Sequence, residues 1–279
     1  MRILITGITG TMGREILNLI LSEPARDIRV LGISRDEQKQ RSLPIYDRFQ
    51  YSLCDIRNKE SLRRICVSGD VHHIIHLAAL KCVDTIESNV YEAIQTNVIG
   101  TQNVCDVASE IGASVVLAST DKACYPINAY GNTKALAEKI VLSANGVVCR
   151  YGNIIGSRGS FVNQIINNLL NNKEIPITNN NMTRFWLKPR EVAEFILNGT
   201  KLDSDLYIKE SFSCHVTSIV TSLAELLKVK DYSMKEVGIR PGEKIHETLR
   251  THEEGGLITS AMKLCTEDVL KDFLMDWVK

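Results

Sequence analysis

The stretch that most limits what this chain can become lies at its front. A short apolar run, Arg2-Ile3-Leu4-Ile5-Thr6, enters Gly7-Ile8-Thr9-Gly10-Thr11-Met12-Gly13, and Ile16, Leu17, Leu19, Ile20 and Leu21 follow at helical spacing. A strand that turns through glycines straight into a helix lets backbone amides close on a pyrophosphate, which also meets the positive end of the helix dipole. The spacing is Gly-x-x-Gly-x-x-Gly, wider than the Gly-x-Gly-x-x-Gly of many dinucleotide sites. It predicts an α/β fold with a doubly wound parallel sheet and a dinucleotide held at Gly7, Thr9, Gly10, Thr11, Met12 and Gly13. A purely structural glycine turn is the plainer alternative.

Further strands are expected at Arg29 to Ile33, Phe49 to Leu53, His73 to His76, Ser114 to Ala118 and Gly146 to Arg150, with helical patterns between them. The second strand ends in Ser34-Arg35, about 20 residues past the glycines, where NAD enzymes carry an acid for the ribose 2′-hydroxyl. Serine and arginine suit a 2′-phosphate, so NADP is expected, although Asp36 and Glu37 follow at once. The third strand delivers Cys54-Asp55-Ile56-Arg57, where Asp55 also reads as a helix N-cap. The fourth runs into Leu77-Ala78-Ala79-Leu80-Lys81, small residues that let a flat cofactor approach the backbone. His72, His73 and His76 invite a metal reading, but His73 and His76 point to opposite faces of a strand and nothing nearby completes a ligand set, so no metal is expected. A long amphipathic helix is expected from about Val90 to Ile111, with Asn97 either bracing the site or solvated.

The chemistry concentrates in Ser119-Thr120-Asp121-Lys122-Ala123-Cys124-Tyr125-Pro126-Ile127-Asn128-Ala129-Tyr130-Gly131-Asn132-Thr133-Lys134. Tyr130 and Lys134, four apart on a helix, share a face. An ammonium beside a phenol lowers the tyrosine pKa and makes it a proton acceptor. Thr120, at the strand end, adds a hydroxyl. A solvated helix pair is the plainer reading of Tyr130 and Lys134 alone.

Together with the glycine turn, Ser-Thr-Asp-Lys-Ala, Pro-Ile-Asn and Tyr-Gly-Asn-Thr-Lys resemble the extended short-chain dehydrogenase/reductases, and within them the inverting UDP-N-acetylglucosamine 4,6-dehydratases. The resemblance continues through Thr96-Asn97-Val98-Ile99-Gly100-Thr101-Gln102-Asn103, Tyr151 to Ser160, Ile175-Pro176-Ile177-Thr178, Met182-Thr183-Arg184-Phe185-Trp186 and Ile239 to Glu247. It implies a Rossmann domain at 1–150 and a smaller substrate lobe at 151–279, with part of 185–210 returning to the first. It implies NADP contacts at Ser34, Arg35, Asp55, Ile56, Ala78, Ala79, Lys81, Asn97, Tyr130 and Lys134. Contacts to UDP-N-acetylglucosamine are implied at Lys81, Asn153, Thr178, Arg184, Arg240 and Glu243, the two arginines clamping the diphosphate. The implied reaction oxidises C4 with Tyr130 as base, removes the C5 proton with Lys122, expels the 6-hydroxyl with Asp121 as acid, and returns hydride at C6. A UDP-sugar 4-epimerase is the alternative.

Charge and length fit this reading. Lysine plus arginine equal aspartate plus glutamate at 33 each in 279 residues, so bulk capture of nucleic acid or anionic membrane is not expected. No apolar run reaches the roughly 20 residues of a membrane helix, and the first strand leaves no room for a leader, so a cytoplasmic protein is expected. The eight cysteines are scattered without Cys-x-x-Cys, which predicts buried free thiols. Residues 163–181 are rich in asparagine, yet interleaved Ile165, Ile166, Leu169 and Leu170 predict an amphipathic helix. Relatives of this kind are dimers or hexamers, which makes the Val90 to Ile111 helix the expected homo-oligomer surface.

Overall fold

The computed structural model describes residues 1–23, 27–157 and 159–278. The chain forms two compact units, one of residues 1–151 and 189–209, the other of residues 152–188 and 210–279.

The first unit is built on seven parallel strands: β1 (Arg2–Thr6), β2 (Arg29–Ser34), β3 (Phe49–Leu53), β4 (His73–His76), β5 (Ser114–Ala118), β6 (Val147–Arg150) and β7 (Leu206–Ile208). Their order is β7-β6-β5-β4-β1-β2-β3, so the strand order reverses between β1 and β4. Ligands of open α/β sheets bind outside the carboxyl ends of the strands at such a reversal. The central strands β1, β4 and β5 are apolar on both faces, as a parallel sheet covered on both sides requires. Leu4 and Ile74 join Leu62, Val104 and Ala137 in one core, while their neighbours Ile3, Ile5 and Ile75 are fully buried on the other face. Helices Lys59–Ser68, Gly100–Ile111 and Ala129–Ser143 pack in a row, and Thr11–Ser22 packs against Pro189–Asn198.

The expected long helix runs from Val90 to Ile111 but is not regular: Ile94–Ile99 is a π-helical turn between two α-helical parts. Such single turns recur at functional sites, and this one holds Asn97. Asp55 is not an N-cap. The next helix begins at Lys59, and its cap is Asn58, whose side chain accepts from the Ser61 N–H.

In the second unit a three-stranded sheet orders Ser213–His215, Thr183–Leu187 and Asn153–Ile154. Helices Phe161–Leu170, Val216–Leu226 and Glu267–Val278 surround it and bury Ile165, Leu169, Ile219, Leu223, Leu270 and Leu274 with Trp186. Leu170 departs from the expected apolar stripe and is 62% exposed. All eight cysteines are free, but not all are buried: Cys82 is exposed and Cys265 half-buried.

Candidate active site

Gly7 has φ +70, and a Cβ there would lie 3.0 Å from the Ala78 nitrogen, so only glycine lets the β1 turn press against the Leu77-Ala78 backbone. A Cβ at Gly13 would meet the Ile8 Cα and carbonyl oxygen at 2.6 Å. The helix beginning at Thr11 follows Gly10, has no side-chain cap and carries no acid in its first turn. A helix start behind a glycine cradle, at the sheet's reversal, fits a dinucleotide pyrophosphate.

At the end of β2, Ser34 is buried and its hydroxyl accepts from Gln40 Nε2 at 3.0 Å, while Arg35 is exposed, with NH1 3.7 Å from Asp55 Oδ2. Asp55 accepts from Arg57 Nε and NH2 at 2.9 and 2.7 Å and from the Arg57 N–H at 3.0 Å. Burial alone would raise its pKa, but the Arg57 hydrogen bonds and the charges of Arg57 and Arg35 outweigh it and hold the carboxyl below its usual range. The Ile56 side chain is buried beside Gly100, where a Cβ would lie 2.6 Å from Ile56 Cδ1. Any cofactor contact at this position falls to its backbone.

Asn97 is buried and braces the site. Its Oδ1 accepts from the Leu80 N–H at 2.8 Å, and its Nδ2 donates to the Leu80 carbonyl at 3.0 Å and to Thr133 Oγ1 at 3.1 Å. His76, first weighed as a metal ligand, supports Asn97 from behind. Thr6 Oγ1 accepts from the Leu77 and Ala78 N–H groups at 3.0 Å each, so its own proton goes to His76 Nδ1 at 2.8 Å. Nε2 then carries the ring proton and donates to Thr101 Oγ1 at 3.0 Å, and Thr101 donates to the Asn97 carbonyl at 2.6 Å. Burial, with the Lys134 charge adding to it, lowers the His76 pKa to about 3, which keeps the ring neutral in this chain of bonds.

At the end of β5 the expected catalytic side chains converge. Thr120 Oγ1 donates to Asp121 Oδ1 at 2.9 Å and Lys122 Nζ donates to the same oxygen at 3.1 Å, and all three residues influence the titration of Tyr130. Asp121 is fully buried, and its N–H donates to the Tyr151 carbonyl at 2.9 Å. The Tyr130 helix starts at Ala129 with Asn128 as cap, accepting from the Gly131 N–H at 2.6 Å. A Cβ at Gly131 would lie 2.3 Å from the Lys122 carbonyl oxygen. This glycine therefore lets the Thr-Asp-Lys turn touch the helix.

Lys134 departs from expectation. Its ammonium donates to the Ala118 carbonyl at 2.8 Å, and burial lowers its pKa to about 8, against the charge of Glu138. The cation that lowers the Tyr130 pKa is Lys122. Even so, desolvation dominates and pushes Tyr130 up to about 12, with Asp121 adding to the rise. Sequence reasoning also missed Glu138. It accepts from Ser119 Oγ at 2.5 Å and from Arg150 Nε and NH2 at 3.0 and 2.7 Å, in a buried pair that ties β5 to β6. The available signal was its position four residues after Lys134, on the same helix face.

In the second unit, Asn153 and Thr178 are half-buried, Arg240 is exposed, and its N–H donates to Glu243 Oε2 at 3.3 Å. Arg184 does not present an open fork for phosphate. Its NH1 donates to the Thr183 and Ile245 carbonyls at 2.8 and 3.1 Å and its NH2 to the Lys244 carbonyl at 2.9 Å, so it fastens the segment that follows Arg240.

A glycine turn into a dinucleotide cradle and a tyrosine and lysine four apart on the helix after the fifth strand form the frame of the extended short-chain dehydrogenase/reductases, the class to which this fold and site correspond. The chain belongs to the family described as polysaccharide biosynthesis protein, whose pattern matches residues 3–267. It is 37% identical over 272 residues to the UDP-N-acetylglucosamine 4,6-dehydratase (inverting) of Campylobacter jejuni strain 81-176, covering 91% of this chain and 79% of that one. It is 35% identical over 269 residues to a UDP-glucose 4-epimerase of Rickettsia rickettsii, covering 90% and 78%. Among solved structures, Pen from Bacillus thuringiensis superposes with a TM-score of 0.89 at 26% identity, covering 99% of this chain and 97% of that one.

Proposed function

We propose that this chain is an NADP-dependent UDP-N-acetylglucosamine 4,6-dehydratase that inverts C5 and forms a UDP-2-acetamido-2,6-dideoxy-L-hexos-4-ulose. The observation that carries this reading is the contact Thr120–Asp121–Lys122 at the end of β5, whose three groups all act on the Tyr130 phenol. It gathers a phenol, a carboxyl and an amine where one hexose ring can meet all three. The likeness to the Campylobacter dehydratase supports it. A nicotinamide bound at the cradle would accept hydride from C4 and return it at C6.

The chain's own groups handle the protons. Tyr130 Oη takes the C4 hydroxyl proton, helped by the Lys122 charge and the nearby Thr120 hydroxyl. Lys122 passes its proton to the Asp121 oxygen it contacts, and the neutral amine then removes the C5 proton, acidified by the new ketone, while Asp121 gives its proton to the departing 6-hydroxyl. A solvent-derived proton added to C5 from the opposite face inverts that centre. Because Lys122 and Asp121 share a contact, they act as one coupled acid–base pair, productive when the proton sits on the carboxyl. Exposed Arg35 at the end of β2 supports the choice of NADP. Asn153, Thr178, Arg240 and Glu243 are proposed contacts to the nucleotide sugar, and Arg184 acts by positioning the Arg240 segment.

The 4-epimerase name carried by the Rickettsia relative marks the alternative. Epimerisation needs Tyr130 but no pair to expel water, so Asp121 and Lys122 favour dehydration. Incubation with UDP-N-acetylglucosamine and NADP separates the two. A 4-keto product with loss of water and deuterium at C5 in heavy water supports the dehydratase, and a C4 epimer without loss of water rejects it.

A further inference from the structure

In the second unit, Ser213–His215 runs beside residues 263–265. The Ser213 N–H donates to the Lys263 carbonyl at 2.8 Å and the Cys265 N–H to the Ser213 carbonyl at 2.9 Å, which makes Ser213 and Leu264 parallel partners. The next residue on each side is a cysteine, so Cys214 and Cys265 lie side by side on one face. Paired strands sit about 4.8 Å apart, within the Cα separation of roughly 4.4–6.8 Å that a disulfide needs. Both thiols are free, and each shifts the other's titration. They line a pocket of about 270 Å³ together with His215, Ser218 and Glu267. None of the residues assigned to dehydration borders this pocket.

The two sulfurs are unlike. The neighbouring Cys214 thiol lowers the Cys265 pKa against the effect of burial, while Cys265 and burial push Cys214 up. Cys265 also lies just ahead of the helix Glu267–Val278, whose positive end favours a thiolate while the first-turn acids Glu267 and Asp268 oppose it. Cys265 is half-buried and Cys214 buried, so a small oxidant in the pocket reaches Cys265 first.

We propose that Cys214 and Cys265 are a redox-active dithiol, with Cys265 the attacking sulfur, Cys214 the resolving one, and a hydroperoxide the oxidant. The Cys265 thiolate attacks the O–O bond of hydrogen peroxide. An S–O bond forms, the O–O bond breaks, and hydroxide takes up a proton and leaves as water. Cys214 sulfur then displaces the hydroxyl from the sulfenic acid. The S–S bond forms as the S–O bond breaks, and the Cys214 proton leaves in a second water. Two electrons pass from the sulfurs to the peroxide, and the product ties the strand Ser213–His215 to the residues just before the C-terminal helix.

The test treats the full chain with equimolar hydrogen peroxide, blocks remaining thiols with a maleimide, and maps peptides by mass with and without dithiothreitol. The expected result is a Cys214–Cys265 cross-link that forms before exposed Cys82 is oxidised, consumes two thiols and disappears on reduction. In Cys214→Ser the same treatment leaves a sulfenic acid at Cys265 that dimedone captures. Oxidation at Cys82 with Cys214 and Cys265 still reduced, or oxidation of Cys265 without the cross-link, overturns the proposal. The wild-type map decides even if the variant does not fold.

Discussion

Lys134 holds the carbonyl oxygen of Ala118 at 2.8 Å, and the charge that eases the Tyr130 proton away is that of Lys122, in the turn before the helix. The two lysines therefore have separable effects on the first hydride step, read as reduced nicotinamide formed in a single turnover. Lys122→Met is expected to move the pH profile of that step upward, because the phenolate loses its cation. Lys134→Met is expected to weaken substrate or cofactor binding, since the Ala118 strand end loses its anchor, with a smaller shift of the profile. Equal shifts in the two variants would return the role to Lys134.

Lys122→Ala is expected to lower C5 exchange in deuterated water by roughly 10²–10⁴-fold, the usual contribution of a positioned base. Unchanged exchange, followed by NMR, rejects the base assignment.

Gly131→Ala places a methyl 2.3 Å from the Lys122 carbonyl oxygen. The turn must shift, at a cost of about 1–3 kcal/mol typical of overpacking. Both the denaturant midpoint and kcat are expected to fall, kcat more steeply than cofactor affinity. A variant with native kcat would show that the turn's position is not critical.

His76 supplies a pH dependence of stability. Its folded pKa is about 3 against an ordinary 6.5, so between these values the unfolded chain binds a proton that the folded chain does not. The stability it contributes is complete above pH 6.5 and is lost as pH falls toward 3. Urea unfolding across that window is expected to show a shallower loss in His76→Gln than in wild type. Parallel slopes would mean that His76 titrates alike in both states.

Arg35→Ser is expected to weaken NADP by about 1.5–3 kcal/mol, the range of a charge-assisted hydrogen bond, and to leave NAD nearly unchanged. Titration calorimetry with both cofactors measures the difference, and equal losses would sink the assignment.

Val90, Tyr91, Ile94 and Ile99 are 43%, 71%, 39% and 42% exposed on the helical stretch proposed as the oligomer surface. Tyr91→Glu is expected to reduce the mass seen by light scattering to that of one chain. An unchanged mass would move the interface elsewhere.

The parts of the molecule legible in its sequence are those written locally. The glycine turn, the apolar strands and the Thr-Asp-Lys turn each declare themselves within a few residues, because strand and helix periods act at that range. The bonds that finish the site join distant positions. Thr6, His76 and Thr101 meet only once β1 and β4 pair and the helix Gly100–Ile111 packs, so three histidines in a short stretch looked like a metal question. The π-helical turn at Asn97 has no compositional mark. Arg184 matched a phosphate-binding motif, yet its donors meet carbonyls that the chain reaches only some 60 residues later.

The return of Leu206–Ile208 to the edge of β6 sets an order of events during synthesis. A nascent chain that has emerged only as far as residue 150 carries six strands but lacks both the seventh and the helix Pro189–Asn198 that lies on Thr11–Ser22. Its β6 edge stays open and the flank beside Thr11–Ser22 stays only partly covered until some sixty more residues have left the ribosome. A gene cut after β6 would thus yield an unfinished sheet that invites a second strand from another molecule, and the smallest autonomous version of this nucleotide-binding half must be spliced, with a short bridge replacing the inserted unit.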